Sequence, residues 1–445
     1  MSSDLLSIAR SGATAARISL DLTAQNIANA STEGYVRRSV RLEELAPASG
    51  PGQIDEVSLS GVRFAGIVRN ADVFRQAEVR RTGSDAARAD AEVAGLTDVE
   101  AAVEQSQLYP ALVAFEGSLG QLAADPVNPS LRAAVIEDAR TAARSFTIAS
   151  TALDAVGDGM RFEAQDGVAQ VNLLAGELGK INLRLARASD GSSDQTALLD
   201  QRDKLLEKLS GFANIATTIA PDQTVRVALG GSGGPQLVGP AAVTPFTLTT
   251  GTDGTIAFAL GGSSVSLSGG ALAGKAQALV TLAEARGRLN TLAGTLIATA
   301  NGAQASGVAL DGSPGQPLFS GTGAADIAVA LSSGAQLATA PAGAPAGSRD
   351  LANLAALRAA LTGAGVIDQA DAALFAISSA VAGRTVTRDA LQTIAGSARD
   401  ALDAQSGVDL DAEAVNLVRF QQAFQASGRA MQVAATLFDT ILAIR

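Results

Sequence analysis

Three clusters in this 445-residue sequence hold residue types that could do chemistry. Gly269, Gly270, Gly274 and Lys275 fall where a phosphate loop would, after a predicted strand and before a predicted helix. In such a loop backbone N–H groups cradle the phosphates and the Lys reaches their outer oxygens. Position 276, however, is Ala, which has no hydroxyl for magnesium, and no apolar strand ending in Asp supplies a second metal-holding element. The segment reads as a strand-to-helix turn. Asp409, Asp411 and Glu413 resemble the start of a calcium loop, yet Ala414 stands where Gly must turn and Phe420 where Glu must chelate. Acids favoured by the dipole at a helix N-terminus explain them better. Asp200 and Asp203 sit one turn apart on a predicted helix, and a catalytic pair would need a cleft and perturbed pKa values. Asp200 with Lys204 at i,i+4, and a stripe of Leu198, Leu205, Leu209 and Phe212, read instead as a structural helix. The sequence has no Cys, His or Trp, which excludes thiolate nucleophiles and His or Cys metal sites. No catalytic, cofactor-binding or metal-ligating residue is assigned, and the expectation is a protein that is not an enzyme.

The elements that would position any site are dominated by the two ends of the chain. Leu410, Leu417, Phe424, Met431 and Phe438 recur every seven residues, with Phe420, Ser427, Ala434 and Ile441 on the interleaved position. Leu6, Ala9, Ala13, Ala16, Leu20, Thr23, Ile27 and Ala30 keep the same spacing at the N-terminus. Apolar residues at alternating three- and four-residue steps over about four heptads predict coiled-coil packing. Val415, Val433, Leu437 and Leu442 lie off this seam, so one helix partner would leave apolar surface wet. Ordering a helix costs about 1–2 kcal/mol per residue, whereas each buried Phe or Leu returns roughly 1.5–3 kcal/mol. The termini are therefore expected to need several partners and to order on assembly.

Composition narrows the function classes. The net charge of -11 argues against a phosphate-backbone partner, so no nucleic acid is expected. The uncharged runs 227–252 and 289–310 are broken by Gly, Pro, Asn, Gln and Thr and are poor membrane spans, and no secretory signal is visible. The length suits about three domains.

Along the chain, helices are predicted over about 4–30, 71–121 (interrupted at Tyr109-Pro110), 130–155, 162–188, 195–209, 275–304, 350–362, 370–382, 387–405 and 409–444. Extended segments are expected at 36–45, 57–68, 224–229, 245–250, 255–260 and 263–268, and loop with strand at 311–347. The fold class expected is mainly α with a smaller β-rich module, in discontinuous nested domains. Residues 1–55 with 400–445 form a terminal helical domain, 56–212 with 273–310 and 349–399 a helical middle domain, and 213–272 with 311–348 a β-rich outer module.

At its ends the chain resembles the axial proteins of the bacterial flagellum. Residues 20–35, through Asn26, Ile27, Ala28, Asn29, Gly34 and Tyr35, look like the N-terminal segment shared by rod, hook and hook-associated proteins. Relatives often carry Pro where this chain has Glu33; Gly34 preserves the turn. Residues 416–427, with Asn416, Gln421 and Gln422, resemble the matching C-terminal motif. Residues 195–210 and 122–146, the latter with Leu131 and Arg132, are similar to segments of the hook-associated protein 1 family; 275–319, with Asn301, Gly307, Gly312 and Phe319, fits it more loosely.

That resemblance implies a structural adapter at the hook–filament junction next to the hook, required for filament assembly. It implies a homo-oligomeric ring, contacts with hook protein and hook-associated protein 3, and an export chaperone. Export would run through the flagellar type III apparatus without a cleaved signal, ending outside the cell, with no membrane insertion. The implied assembly interface is Leu6, Ala13, Leu20, Ile27, Leu410, Leu417, Phe420, Phe424, Met431, Phe438 and Ile441. The alternatives are another axial protein (hook, distal rod or hook-associated protein 3) and, from a different class, a nucleotide-dependent enzyme using the glycine-rich segment ending at Lys275.

Overall fold

A computed structural model describes residues 2–32, 34–44, 61–240 and 242–443, with side chains from residue 5 to residue 440 of these. The chain opens with helix α1 (Ser2–Ala28), followed by strands β1 (Arg38–Glu44) and β2 (Val62–Arg69). Helices α2 (Val73–Gln105), α3 (Leu108–Leu122), α4 (Pro129–Leu185) and α5 (Ser193–Phe212) come next. Strands β3 (Ile215–Ile219), β4 (Val225–Leu229), β5 (Gln236–Val238), β6 (Phe246–Thr250), β7 (Ile256–Leu260) and β8 (Ser263–Val265) lead into helix α6 (Ala271–Ala305). Short bridging strands fill 307–341, and helices α7 (Ala352–Ala364), α8 (Val366–Ser406) and α9 (Leu410–Ala443) complete the chain. The mainly helical class with small sheets follows the expectation; residue 45 of the extended segment expected at 36–45 and residues 57–60 of the one expected at 57–68 lie outside the described residues.

Several predicted breaks are absent. The helices expected at 130–155 and 162–188 are one 57-residue helix. Gly157 and Gly159 each cost about 1 kcal/mol in a helix interior, but tertiary packing overrides them. Leu153, Met160 and Ala164 continue a single buried stripe through the gap, and the Arg286 guanidinium passes close above Gly157. The pieces expected at 370–382 and 387–405 are likewise one helix. Near Tyr109 the break falls earlier, at Gln107, whose φ of 54° is left-handed. Pro110 then sits in the first turn of α3, where its missing N–H has no helical partner to lose.

The described chain forms two compact units, each assembled from separate segments. One holds residues 1–84, 171–245 and 392–445; the other holds 85–170 and 246–391. The β-rich region is divided between them. The antiparallel sheet β3-β4-β5 belongs to the first, and the antiparallel sheet β6-β7-β8 to the second. This differs from a single β-rich module, because each sheet buries its apolar face within its own unit. Val225, Val227 and Leu229 are fully buried, and the Asn182 amide of α4 both donates to the Val225 carbonyl (2.8 Å) and accepts from its N–H (2.9 Å). In the second unit Phe246 stacks on Phe258 at 5.5 Å.

The second unit carries the larger core. Leu112, Phe115, Leu119, Phe146, Leu153, Leu292, Leu296, Phe319 and Leu357 belong to one continuous apolar cluster. Arg132, 1% exposed, reaches from the start of α4 into loop 334–339. It donates to the carbonyls of Pro126 (2.5 Å), Gly334 (3.1 Å) and Leu337 (2.8 Å) and to the Thr339 hydroxyl (2.6 Å).

Candidate functional site: the terminal helix pair

The sequence at 409–413 starts α9 by capping rather than chelation. The Asp409 carboxylate accepts the N–H groups of Asp411 (2.9 Å) and Ala412 (3.2 Å). Just before it, Gly407 turns so tightly over Asp403 that a Cβ would lie 2.4 Å from the Asp403 carbonyl. The chain leaves α8 through this joint, and α9 returns along α1. A Cβ on Gly12 would lie 3.1 Å from Ser427 Oγ, while the Asn26 amide reaches Glu413 at 3.3 Å. From Gly12 to Asn26 and from Ser427 back to Glu413 is the same two-heptad step taken in opposite directions. The pair is therefore antiparallel and in a single register.

The pairing surface of α1 is built from small residues. Ala9, Ala13, Ala16, Ser19, Leu22, Thr23 and Asn26 are buried. Of the residues read as interface, Ala13 lies in this seam, Leu20 is half-buried, and Leu6 and Ile27 are exposed. Towards its end the buried face takes in 19 and 26 rather than 20 and 27, because β1 also packs on α1 there and the Asn26 amide bonds the Arg38 backbone. On α9 the seam holds buried Ala434 and half-buried Leu417, Phe420, Ser427 and Met431. Leu410, Phe424 and Phe438 remain 54%, 43% and 51% exposed. Val415, Val418, Val433 and Leu437 are exposed as well, so α1 covers one stripe and leaves a broad apolar face open. The Ile441 side chain lies outside the described residues.

The motif residues at the end of α1 secure the base of the pair. Asn26, fully buried, accepts the Arg38 N–H (3.1 Å) and donates to the Arg38 carbonyl (2.9 Å), closing the free edge at the start of β1. The Tyr35 hydroxyl donates to Asn26 Oδ1 at 2.9 Å, and burial raises the Tyr35 pKa despite the Arg38 guanidinium over its ring. Gly34 turns with φ of 78° against the Lys204 side chain. Asn29, half-buried, donates to the Gln25 carbonyl (2.9 Å). Asn416 is half-buried, whereas Gln421 and Gln422 are exposed. Glu413, 1% exposed, accepts from Arg37 Nε at 2.6 Å.

An ion-pair network extends this base. Arg38 binds Asp200 (2.7 Å), and Arg69 bridges Asp200 and Asp203 (both 2.8 Å). Arg202 and Gln76 also bond Asp203, at 2.7 and 3.0 Å. Burial would raise the Asp203 pKa, but Arg202 and Arg69 outweigh it and hold the carboxyl below its ordinary value. For Asp200 burial prevails over Arg69 and Arg38, and its pKa is raised. Both acids are structural, as read, but their bonds reach β1 and β2 rather than following the expected i,i+4 step. The sequence reading missed Arg37, Arg38 and Glu413 here. Glu413 could have been found, since it occupies the same interleaved seam position as Phe420 and Ser427.

The other sequence clusters hold no site. Gly274 lies against α2, where a Cβ would meet the Arg88 carbonyl at 2.2 Å, and Lys275 pairs with Glu163. No group of three or more His, Cys, Asp or Glu residues able to hold a metal ion occurs among the described residues. By length and composition alone, one stretch within 352–440, apart from the uncharged runs 227–252 and 289–310, is long and apolar enough to cross a bilayer.

The two ends of the chain thus meet as one antiparallel helix pair within the first unit. Two family descriptions match those ends: "Flagella basal body rod protein" over residues 6–35 and "Flagellar basal body rod FlgEFG protein C-terminal" over 402–444. Between them, residues 96–319 match the "Flagellar hook-associated protein FlgK helical domain", half of the chain. The chain belongs to the FlgK family of flagellar hook-associated proteins. It is 29% identical over 221 residues to flagellar hook-associated protein 1 of Bacillus subtilis, covering 47% of this chain and 43% of that protein. Against the Salmonella typhimurium protein of the same name it is 24% identical over 231 residues, covering 51% and 41%. The alignments thus span less than half the length of these curated relatives. The flagellar hook junction protein FlgK from Burkholderia pseudomallei superposes with a TM-score of 0.49 at 23% identity, over 55% of this chain and 46% of that one.

Proposed function

We propose that this protein is a structural adapter of the bacterial flagellum, which forms the junction layer next to the hook and is required for filament assembly. The observation that carries this reading is the apolar face of α9 left exposed after α1 has taken its stripe, in a chain of the FlgK family. A contiguous apolar face on a helix is a surface for partners. The partners are further copies in a ring, hook protein on one side and hook-associated protein 3 on the other. The chain reaches them through the flagellar type III apparatus, held by an export chaperone, and works outside the cell. The reading as a nucleotide-dependent enzyme is set aside, because Gly274 is spent on helix packing and Lys275 on an ion pair.

A deletion strain tests this. Hooks without filaments, with flagellin shed into the medium, are the expected result under the electron microscope. Filamented, motile cells would remove the proposal.

A further inference from the structure

The terminal seam has a weakness that its own repeat creates. Half-buried Leu417 and Met431 belong to a seven-residue repeat that the more exposed Phe424 and Phe438 continue, and α1 lines the seam with Ala9, Ala13 and Ala16. A slip of one heptad replaces apolar by apolar on α9 and small by small on α1. Packing alone therefore separates the alternative registers poorly. In coiled coils a single buried polar residue solves this problem, at some cost in stability.

Glu413 is the buried charged residue of α9 among the described residues. Its two carboxylate oxygens are divided between Arg37 Nε at 2.6 Å and Asn26 Nδ2 at 3.3 Å. Asn26 is itself fixed by the backbone of Arg38, so it offers its N–H to one position only. After a one-heptad slip in one direction Phe420 meets Asn26; in the other, Ser406 does, and Ser406 belongs to α8. Either slip leaves the Arg37 guanidinium and the Asn26 N–H facing a group that cannot accept as Glu413 does, and carries the carboxylate away from its donors. Leaving the buried Asn26 N–H and the buried carboxylate unmet costs far more than the small difference between apolar seams.

We propose that Glu413, held by Asn26 and Arg37, is the register-setting residue of the terminal helix pair. It determines which α9 residues face α1 and hence which apolar face is offered to neighbours. The second consequence rests on the adapter reading above; the register itself does not.

The absence of Cys makes the test direct. A Cβ at position 12 would lie 3.9 Å from Ser427 Cβ, within the range a disulfide spans. Gly12→Cys is combined in the full-length chain with Ser427→Cys, Phe420→Cys or Ala434→Cys, the last two one heptad away and about 10 Å off along the helix. Under mild oxidation the chain with Glu413 should give the 12–427 disulfide and neither offset product. Adding Glu413→Leu, which keeps an apolar seam and hence the pairing, should let an offset product rise to a yield comparable with 12–427. A Glu413→Leu chain that still forms only 12–427 would overturn the proposal, and so would a chain with Glu413 that cross-links equally at all three positions or at none. A deletion strain that keeps its filaments would remove the adapter reading and leave this pattern unchanged.

Discussion

Asn26 does three jobs with one amide: it caps a strand edge, accepts a tyrosine hydroxyl and holds the acid of the opposite helix. Asn26→Ala would leave buried backbone groups of Arg38 without partners, and each such group costs about 1–3 kcal/mol. A loss of that order in urea unfolding of the first unit is expected. The acids beneath it predict opposite responses to pH. The Asp203 pKa is lowered in the fold, so its contribution is complete above the ordinary carboxylate pKa and is lost as pH falls through the lowered value. The Asp200 pKa is raised, so its contribution is complete below the ordinary value and is lost as pH rises through the raised one. Asp203→Asn should flatten the acid side of a stability-against-pH curve measured by thermal unfolding, and Asp200→Asn should not. None of this was legible in the sequence. The one-turn spacing of Asp200 and Asp203 suggested neighbours on their own helix, while their partners Arg38 and Arg69 lie more than a hundred residues away.

At the scale of elements, glycine separates packing from tolerance. Gly274→Val in α6 would drive a side chain into the backbone of α2 and should lower the melting temperature of the second unit by several degrees, the effect of about 1–3 kcal/mol of overpacking. Gly176 in α4 faces open space with ordinary helical backbone, and Gly176→Ala should stabilise by about 0.4–1 kcal/mol. The sequence showed that glycines punctuate but not which ones. Gly157 and Gly159 read as a gap and are helical, while the glycine-rich stretch before Lys275 read as a turn and does start a helix. Heptads at the ends were plain because apolar period needs no tertiary knowledge. Their exposed residues teach the complementary lesson. Phe424→Asp lies on the open face, so it should leave the fold of the monomer intact by circular dichroism and abolish filament attachment.

For the whole molecule, the two units are interleaved along the chain, and this organisation can be tested by truncation. A chain ending at residue 391 retains all of 85–170 and 246–391 and loses the partner of α1. Hydrogen exchange should find protected amides across the second unit and fast exchange along α1. The same interleaving bears on how a chain of this kind behaves while it emerges N-terminus first, from a ribosome or from a narrow conduit. The first segment of one unit appears at once, but that unit cannot close until residues 392–445 follow, and the other cannot close before residue 391. Contacts between such distant segments form slowly, because the long loops must be closed first. The order of emergence thus holds the first unit open until α9 has followed, and α9 is the helix that completes it.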